Sequence, residues 1–279
     1  MARNKTMTEF QKRWHETRER QGSNIVAGLD PALYEVGKGQ YGLDEGVDLK
    51  EWSLRFIDAV APYVAMIKTN QAFFQGVGQT AILKELVDRI HEHGLLALSD
   101  NKVSDIGNTN EAYFYYNHSL GFDAVTCAPY AGNIESSIEL ARKNNISIMT
   151  MGLMSNPEYQ SEMYFTDPET GETLWHSRVR RSVEAGADAV VVGGTYTKKD
   201  AAFVEFVELT KSSDILYLIP GIGTQGGEVT EFLASGIDAT RCMISSSRGM
   251  MFPNGSGSTP EEQAEAAKIL RDQCNDAIK

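Results

Sequence analysis

Eight short, almost wholly apolar runs recur along the chain, and nearly every one is followed by a stretch with apolar residues at helical spacing. The runs lie at 24–29, 64–67, 95–99, 124–127, 146–151, 189–192, 215–219 and 241–244. A strand covered on both faces reads as a continuous apolar run rather than as an alternation. Such strands alternating with helical patterns predict parallel βαβ units. Eight of them in 279 residues predict a closed (β/α)8 TIM barrel, with an open doubly wound sheet as the competing arrangement. Residues 1–279 read as one domain, and nothing repeats beyond the strand–helix alternation. Residues 1–22 supply an additional helix, with Phe10, Trp14 and Thr17 at helical spacing, expected to close one end of the barrel. Residues 156–171 are polar and aperiodic, and fit either a moving lid or a static insertion.

Charge and composition exclude several classes. A formal net charge of −12 argues against a nucleic-acid partner, although a small phosphorylated ligand needs only a local pocket. No apolar run approaches the ~20 residues that span a bilayer, so no membrane association is expected. The first residues, Met1-Ala2-Arg3-Asn4-Lys5, lack the apolar segment of a secretory leader. Cys127, Cys242 and Cys274 form neither a disulfide framework nor a zinc pattern. Cytoplasm is the expected compartment.

In a (β/α)8 barrel the chemistry gathers at the carboxyl ends of the strands. Here those ends carry Asp30, Lys68, Asp100 with Lys102, Ser155, Gln225, and Ser247 with Arg248. The third run breaks into Asp100-Asn101-Lys102-Val103-Ser104-Asp105. If strand geometry persists to Lys102, it and Asp100 point to the same face. Opposite charges on a buried strand seldom recover their desolvation. That suggests chemistry, although a strand-end salt bridge, with Asp105 as an ordinary helix-start residue, also fits. Pro220 to Gly227 holds four glycines in eight residues, which lets backbone amides approach an anion. With Arg248 on the next strand end, it matches the phosphate site that barrels build after strands seven and eight.

Other chemistries find little support. His15, His91, His93, His118 and His176 all fall on predicted helices, away from the strand ends, and no metal site stands out. Cys127 reads as a small buried hydrophobe. Met149, Met151 and Met154 read as core or pocket floor.

Taken in order, these residues resemble orotidine 5′-phosphate decarboxylases. The resemblance rests on Gly28-Leu29-Asp30, Ile67-Lys68, Asp100 through Thr109, Met154-Ser155-Asn156-Pro157, Pro220 through Gly227 and Ser247-Arg248-Gly249. The Asp-Ile-Gly-Asn-Thr, Ser-Asn-Pro and Ser-Arg-Gly wording is similar to the longer bacterial subgroup, and Lys-Val-Ser-Asp is also similar to the shorter archaeal form. The resemblance implies a homodimeric barrel that converts orotidine 5′-phosphate to UMP and CO2 with no cofactor and no metal. It implies Lys102 as proton donor to C6, Asp100 beside the departing carboxylate, and Lys68 bridging the charged network and touching the ribose. Asp105 and Thr109 would reach into the neighbouring subunit's site. Asp30 would bind ribose hydroxyls, Ser155 the pyrimidine edge, and Gln225, Ser247 and Arg248 would complete the substrate contacts, Gln225 and Arg248 at the phosphate.

Two alternatives compete. The magnesium-dependent 3-keto-gulonate 6-phosphate decarboxylase and hexulose phosphate synthase barrels share Asp-x-Lys-x-x-Asp. They place a carboxylate on strand two, where this chain has Lys68. A non-catalytic nucleotide-binding barrel would have no need of so many costly charges.

Overall fold

The computed structural model describes residues 7–34, 42–76, 78–222 and 229–278. Eight parallel strands close into a barrel in the order β1 to β8, so the open-sheet alternative is set aside. They are β1 (Ile25–Leu29), β2 (Met66–Thr69), β3 (Leu96–Val103), β4 (Ala124–Cys127), β5 (Ser147–Leu153), β6 (Ala189–Val192), β7 (Leu216–Pro220) and β8 (Cys242–Ser246). Closure is made by β8 pairing with β1, with Ala27 in register with Ser246.

The helices follow the expected order: α1 (Glu9–Gln21), α2 (Leu49–Val60), α3 (Leu83–Glu92), α4 (Gly107–Ser119), α5 (Ile134–Lys143), α6 (Pro157–Met163), α7 (Leu174–Ala185), α8 (Ala201–Thr210), α9 (Val229–Leu233), α10 (Arg248–Met251) and α11 (Pro260–Ile278). Two were not expected. The four-residue α10 begins at the end of β8, and α6 lies inside the aperiodic segment 156–171. Pro157 opens α6 at a position where its missing N–H is no loss. The Tyr159 hydroxyl donates to the Gly152 carbonyl of β5, which ties α6 to the barrel. Beyond it, Thr166 pairs with Thr173, and Arg180 holds Glu172 at 2.8 and 2.9 Å.

Side-chain parity divides the core. Outward residues of the strands pack against the helices, and inward ones fill the barrel. The lower interior holds Val26, Met66, Leu96, Ala124, Met149 and Met243, and α1 stoppers it with Phe10 and Trp14, both essentially buried. A Thr8–Gln11 capping box starts α1 and Gly22, with φ of 56°, ends it.

The tetrapeptide Gly-x-Asp-Ala recurs before β4, β6 and β8, at Gly121, Gly186 and Gly236. Each glycine has positive φ and turns the chain from helix to strand. Asp123 accepts from the Ala97 amide at 2.7 Å and Asp188 from the Ile148 amide at 2.9 Å, so each stitches two strands together. The same carboxylates hold α1, through Arg13 at 2.7 Å and the Thr8 hydroxyl at 2.5 Å. The end of the barrel opposite the strand carboxyl ends is thereby closed, and the strand carboxyl ends remain as the open mouth. Among the described residues, no helix is long and apolar enough to cross a membrane.

Candidate active site

The upper inward layer changes character from apolar to charged. On β2, Met66 belongs to the core and the next inward residue is Lys68, whose side chain is only 7% exposed. On β3 the inward residues run Leu96, Leu98, Asp100. Lys68 sits in register with Gly28 of β1 and Leu98 of β3. Its Nζ donates to Asp100 Oδ2 at 2.7 Å.

The next residues depart from strand geometry. Ser99 pairs with Val125 and Val103 with Cys127, so residues 100, 101 and 102 face Thr126 alone. Two extra residues on one strand make a bulge, a device that re-aims side chains near active sites. Lys102 takes φ of 47°, the left-handed region, and its Nζ reaches Asp100 Oδ1 at 2.7 Å. The pairing expected from strand alternation is therefore present, but a bulge creates it.

Asp100 is the hub. Its carboxylate accepts from Lys68, from Lys102 and from the Thr126 hydroxyl at 2.9 Å. Burial pushes its pKa up, but the two ammonium groups outweigh that and hold it well below the usual carboxylate range. Burial opposes the charge on Lys68, yet Asp100 and then Asp30 prevail, and its pKa lies above the ordinary lysine value. Lys68 and Asp100 are thus locked ionised, while the Lys102 side chain remains 46% exposed at the mouth.

These groups open into a cavity of about 550 Å³. Asp30, Lys68, Asp100, Lys102, Ser155, Ser247 and Arg248 all line it, so seven residues expected from strand ends converge there. One carboxylate oxygen of Asp30, Oδ1, is buried without a hydrogen-bond partner. Glycine makes room at two places. A Cβ on Gly28 would lie 1.9 Å from Ser247 Oγ, and one on Gly193 would lie 2.5 Å from Ser155 Cβ. Met151, Val191 and Leu218 supply the apolar part of the wall.

Asp105 and Thr109 do not join this cavity. Both are exposed on the loop after β3 and the first turn of α4, and Asp105 Oδ1 accepts the Ile106 amide at 2.8 Å. Gln225, with Gly223 to Gly227 of the glycine loop, lies outside the described residues. Thr126 was missed by sequence reasoning, although a hydroxyl on the inward parity of a four-residue buried strand was a usable signal. Ser245, two residues beyond inward Met243 on β8, carried the same signal and was also missed, whereas Asn70 and Thr195, which line the cavity from outside the strands, carried none.

The histidines lie elsewhere, none lining the cavity. His91 pairs with Asp123 at 3.0 Å and His93 with Asp58 at 2.7 Å, so neither is simply solvated. Cys127 is buried, and that burial pushes its thiol up to about 12, as expected of an inert side chain. Among the described residues, no three His, Cys, Asp or Glu side chains cluster to hold a metal ion.

Known proteins share this architecture and, among sequence relatives, close to a third of the residues. A sequence model of the orotidine 5′-phosphate decarboxylase / HUMPS family matches residues 23–239. The chain belongs to that family. An orotidine 5′-phosphate decarboxylase of Dehalococcoides mccartyi is 30% identical over 286 residues, covering 96% of this chain and 97% of that protein. One of Bacteroides fragilis is 27% identical over 273 residues, covering 95% and 96%. The structure of Leishmania donovani OMP decarboxylase superposes with a TM-score of 0.76 at 22% identity, covering 97% of this chain and 98% of that one. At that identity the superposition speaks for the barrel alone. The family match spans two chemistries, and the strand-two residue bears on the choice between them: this member carries Lys68 there, a cation inside the hydrogen-bonded array.

Proposed function

We propose that this chain decarboxylates orotidine 5′-phosphate to UMP and CO2, with Lys102 at the reacting carbon. The observation that carries this is the Lys68–Asp100–Lys102 array, joined by 2.7 Å contacts on the wall of a cavity large enough for a nucleotide. The C6–carboxylate bond breaks, its electron pair stays on C6, and CO2 leaves. No neighbouring π system absorbs that pair. The Lys102 ammonium stabilises it electrostatically and then passes its proton to C6. Asp100, held ionised by the two lysines, keeps the ammonium in place and lies beside the substrate carboxylate. Lys68 neutralises the far oxygen of Asp100 and contacts the ribose.

Asp30 offers its unpartnered oxygen to the ribose hydroxyls. Ser155 faces the pyrimidine edge. Arg248, at the rim beside Ser247, takes the phosphate together with Gln225. Binding energy from that remote group can assemble the site around the bond being broken. Asn156 and Pro157, which line the cavity, are the part of segment 156–171 placed to follow such a closure.

The working unit is a homodimer in which Asp105 and Thr109 enter the neighbour's site. Their exposure outside their own cavity supports this, as do exposed Ile106, Tyr113 and Tyr116 on the same loop and helix and exposed Tyr130 on the loop after β4. The magnesium-dependent sister chemistry needs an anion at strand two, and Lys68 disfavours it.

Purified protein should consume orotidine 5′-phosphate, followed as loss of its near-ultraviolet absorbance, with EDTA present throughout. Activity that appears only on adding Mg2+ would instead favour the sister chemistry.

A further inference from the structure

The bulge in β3 creates a problem that one side chain of β4 solves. Residues 100–102 face Thr126 alone, so the Lys102 amide has no backbone acceptor across the ladder. It donates instead to Thr126 Oγ1 at 2.9 Å. The same hydroxyl turns its own proton to Asp100 Oδ1, also at 2.9 Å. Asp100 Oδ1 is the oxygen that receives Lys102 Nζ at 2.7 Å. Thr126 therefore grips Lys102 at both ends: directly at its backbone, and through Asp100 at its ammonium. It does this while 1% exposed, on the wall of the cavity.

We propose that Thr126 is a positioning residue for the decarboxylation, its hydroxyl fixing the left-handed bulge at Lys102 and the Asp100 oxygen that aims the Lys102 ammonium. This rests on the proposed reaction and deepens it. A buried hydroxyl that donates once and accepts once fits both partners. A bulged, left-handed backbone persists only where the surroundings over-determine it. The side chain of Lys102 is half in solvent and has several rotatable bonds, so little else restrains it. A carboxylate gripped from two directions sets the ammonium more narrowly than one gripped by lysines alone. Displacements near 1 Å can lower turnover about a hundredfold.

The test is Thr126→Val, which keeps the branched shape and removes the hydroxyl, beside Thr126→Ser, which keeps the hydroxyl. Thr126→Val should lower kcat about a hundredfold, with KM and UMP affinity close to wild type. Thr126→Ser should restore kcat to within a few-fold. A second readout does not depend on turnover: hydrogen exchange at the Lys102 amide should accelerate in Thr126→Val and stay slow in Thr126→Ser, while the Ala97 amide remains protected in both. Equal kcat in wild type and Thr126→Val, or a Thr126→Ser variant as impaired as Thr126→Val, would overturn the proposal. So would an unchanged Lys102 amide in Thr126→Val. If the wild type does not act on orotidine 5′-phosphate, the reaction assignment fails, and the exchange measurement still decides whether Thr126 clamps the bulge.

Discussion

Replacing Lys102 should reverse a familiar ranking of side chains. Among the described residues, only Lys102 and Asn145 combine a side chain with positive φ, at 47° and 55°. Asparagine tolerates that region, but a residue with an ordinary Cβ loses about 1–2 kcal/mol there. Lys102→Ala retains the Cβ and the strain, whereas Lys102→Gly removes both. Glycine adds freedom to the unfolded chain, a destabilisation of roughly 0.4–1 kcal/mol. The balance favours Lys102→Gly over Lys102→Ala by about 0.5–1 kcal/mol, although within regular strands or helices alanine is favoured by a similar amount. The ion pair to Asp100 is lost equally from both variants and, half exposed, contributes little. Urea unfolding at matched protein concentration reads the difference directly. Both variants should be inactive, so stability and function separate at this position. A Lys102→Ala protein more stable than Lys102→Gly would show that the left-handed bulge is not the native conformation.

Three further perturbations probe the surrounding parts. Asp100→Asn leaves Lys68 buried opposite a neutral amide and should destabilise by about 3–5 kcal/mol. Because the native carboxylate has a depressed pKa, its contribution is complete at neutral pH and is lost as pH falls below the unfolded value of about 4, so wild type and Asp100→Asn should converge in acid unfolding curves. Gly28→Ala places a Cβ 1.9 Å from Ser247 Oγ and 2.8 Å from Ser247 Cβ, and by displacing Ser247 and Arg248 should weaken UMP binding about tenfold by calorimetry; unchanged affinity would mean that Ser247 yields freely. Mixing inactive Lys102→Ala and Asp105→Ala chains through unfolding and refolding should restore about a quarter of wild-type sites, since a hybrid dimer carries both lesions in one site and none in the other; no recovery would place Asp105 outside the neighbour's site.

Much of the barrel was legible because its strands are buried on both faces. β4 and β6 match their apolar runs to the residue. Strand ends were less legible. β2 extends through Thr69 and β8 through Ser246, because polar inward residues at the mouth look like strand terminators in a sequence. α6 escaped because it is only seven residues long and packs on the core through just Tyr159 and Met163, too few apolar positions to show a period. The site charges were visible individually. Their assembly was not, since the Lys102–Asp100 contact depends on a bulge that only the β3–β4 register reveals. Thr126 signalled only by its inward parity, and its role stayed out of sight because its partners come from another strand. Asp105 lies outside the strand register, so only family resemblance could suggest work for it beyond its contact with the Ile106 amide.

Under the proposed reaction, Lys102 acts on the bond being broken rather than on substrate binding. The direct measurement is turnover of orotidine 5′-phosphate by Lys102→Ala in EDTA, paired with calorimetric binding of UMP to the same protein. Turnover lower by several orders of magnitude with UMP affinity retained is the predicted result. Near-normal turnover would contradict the claim.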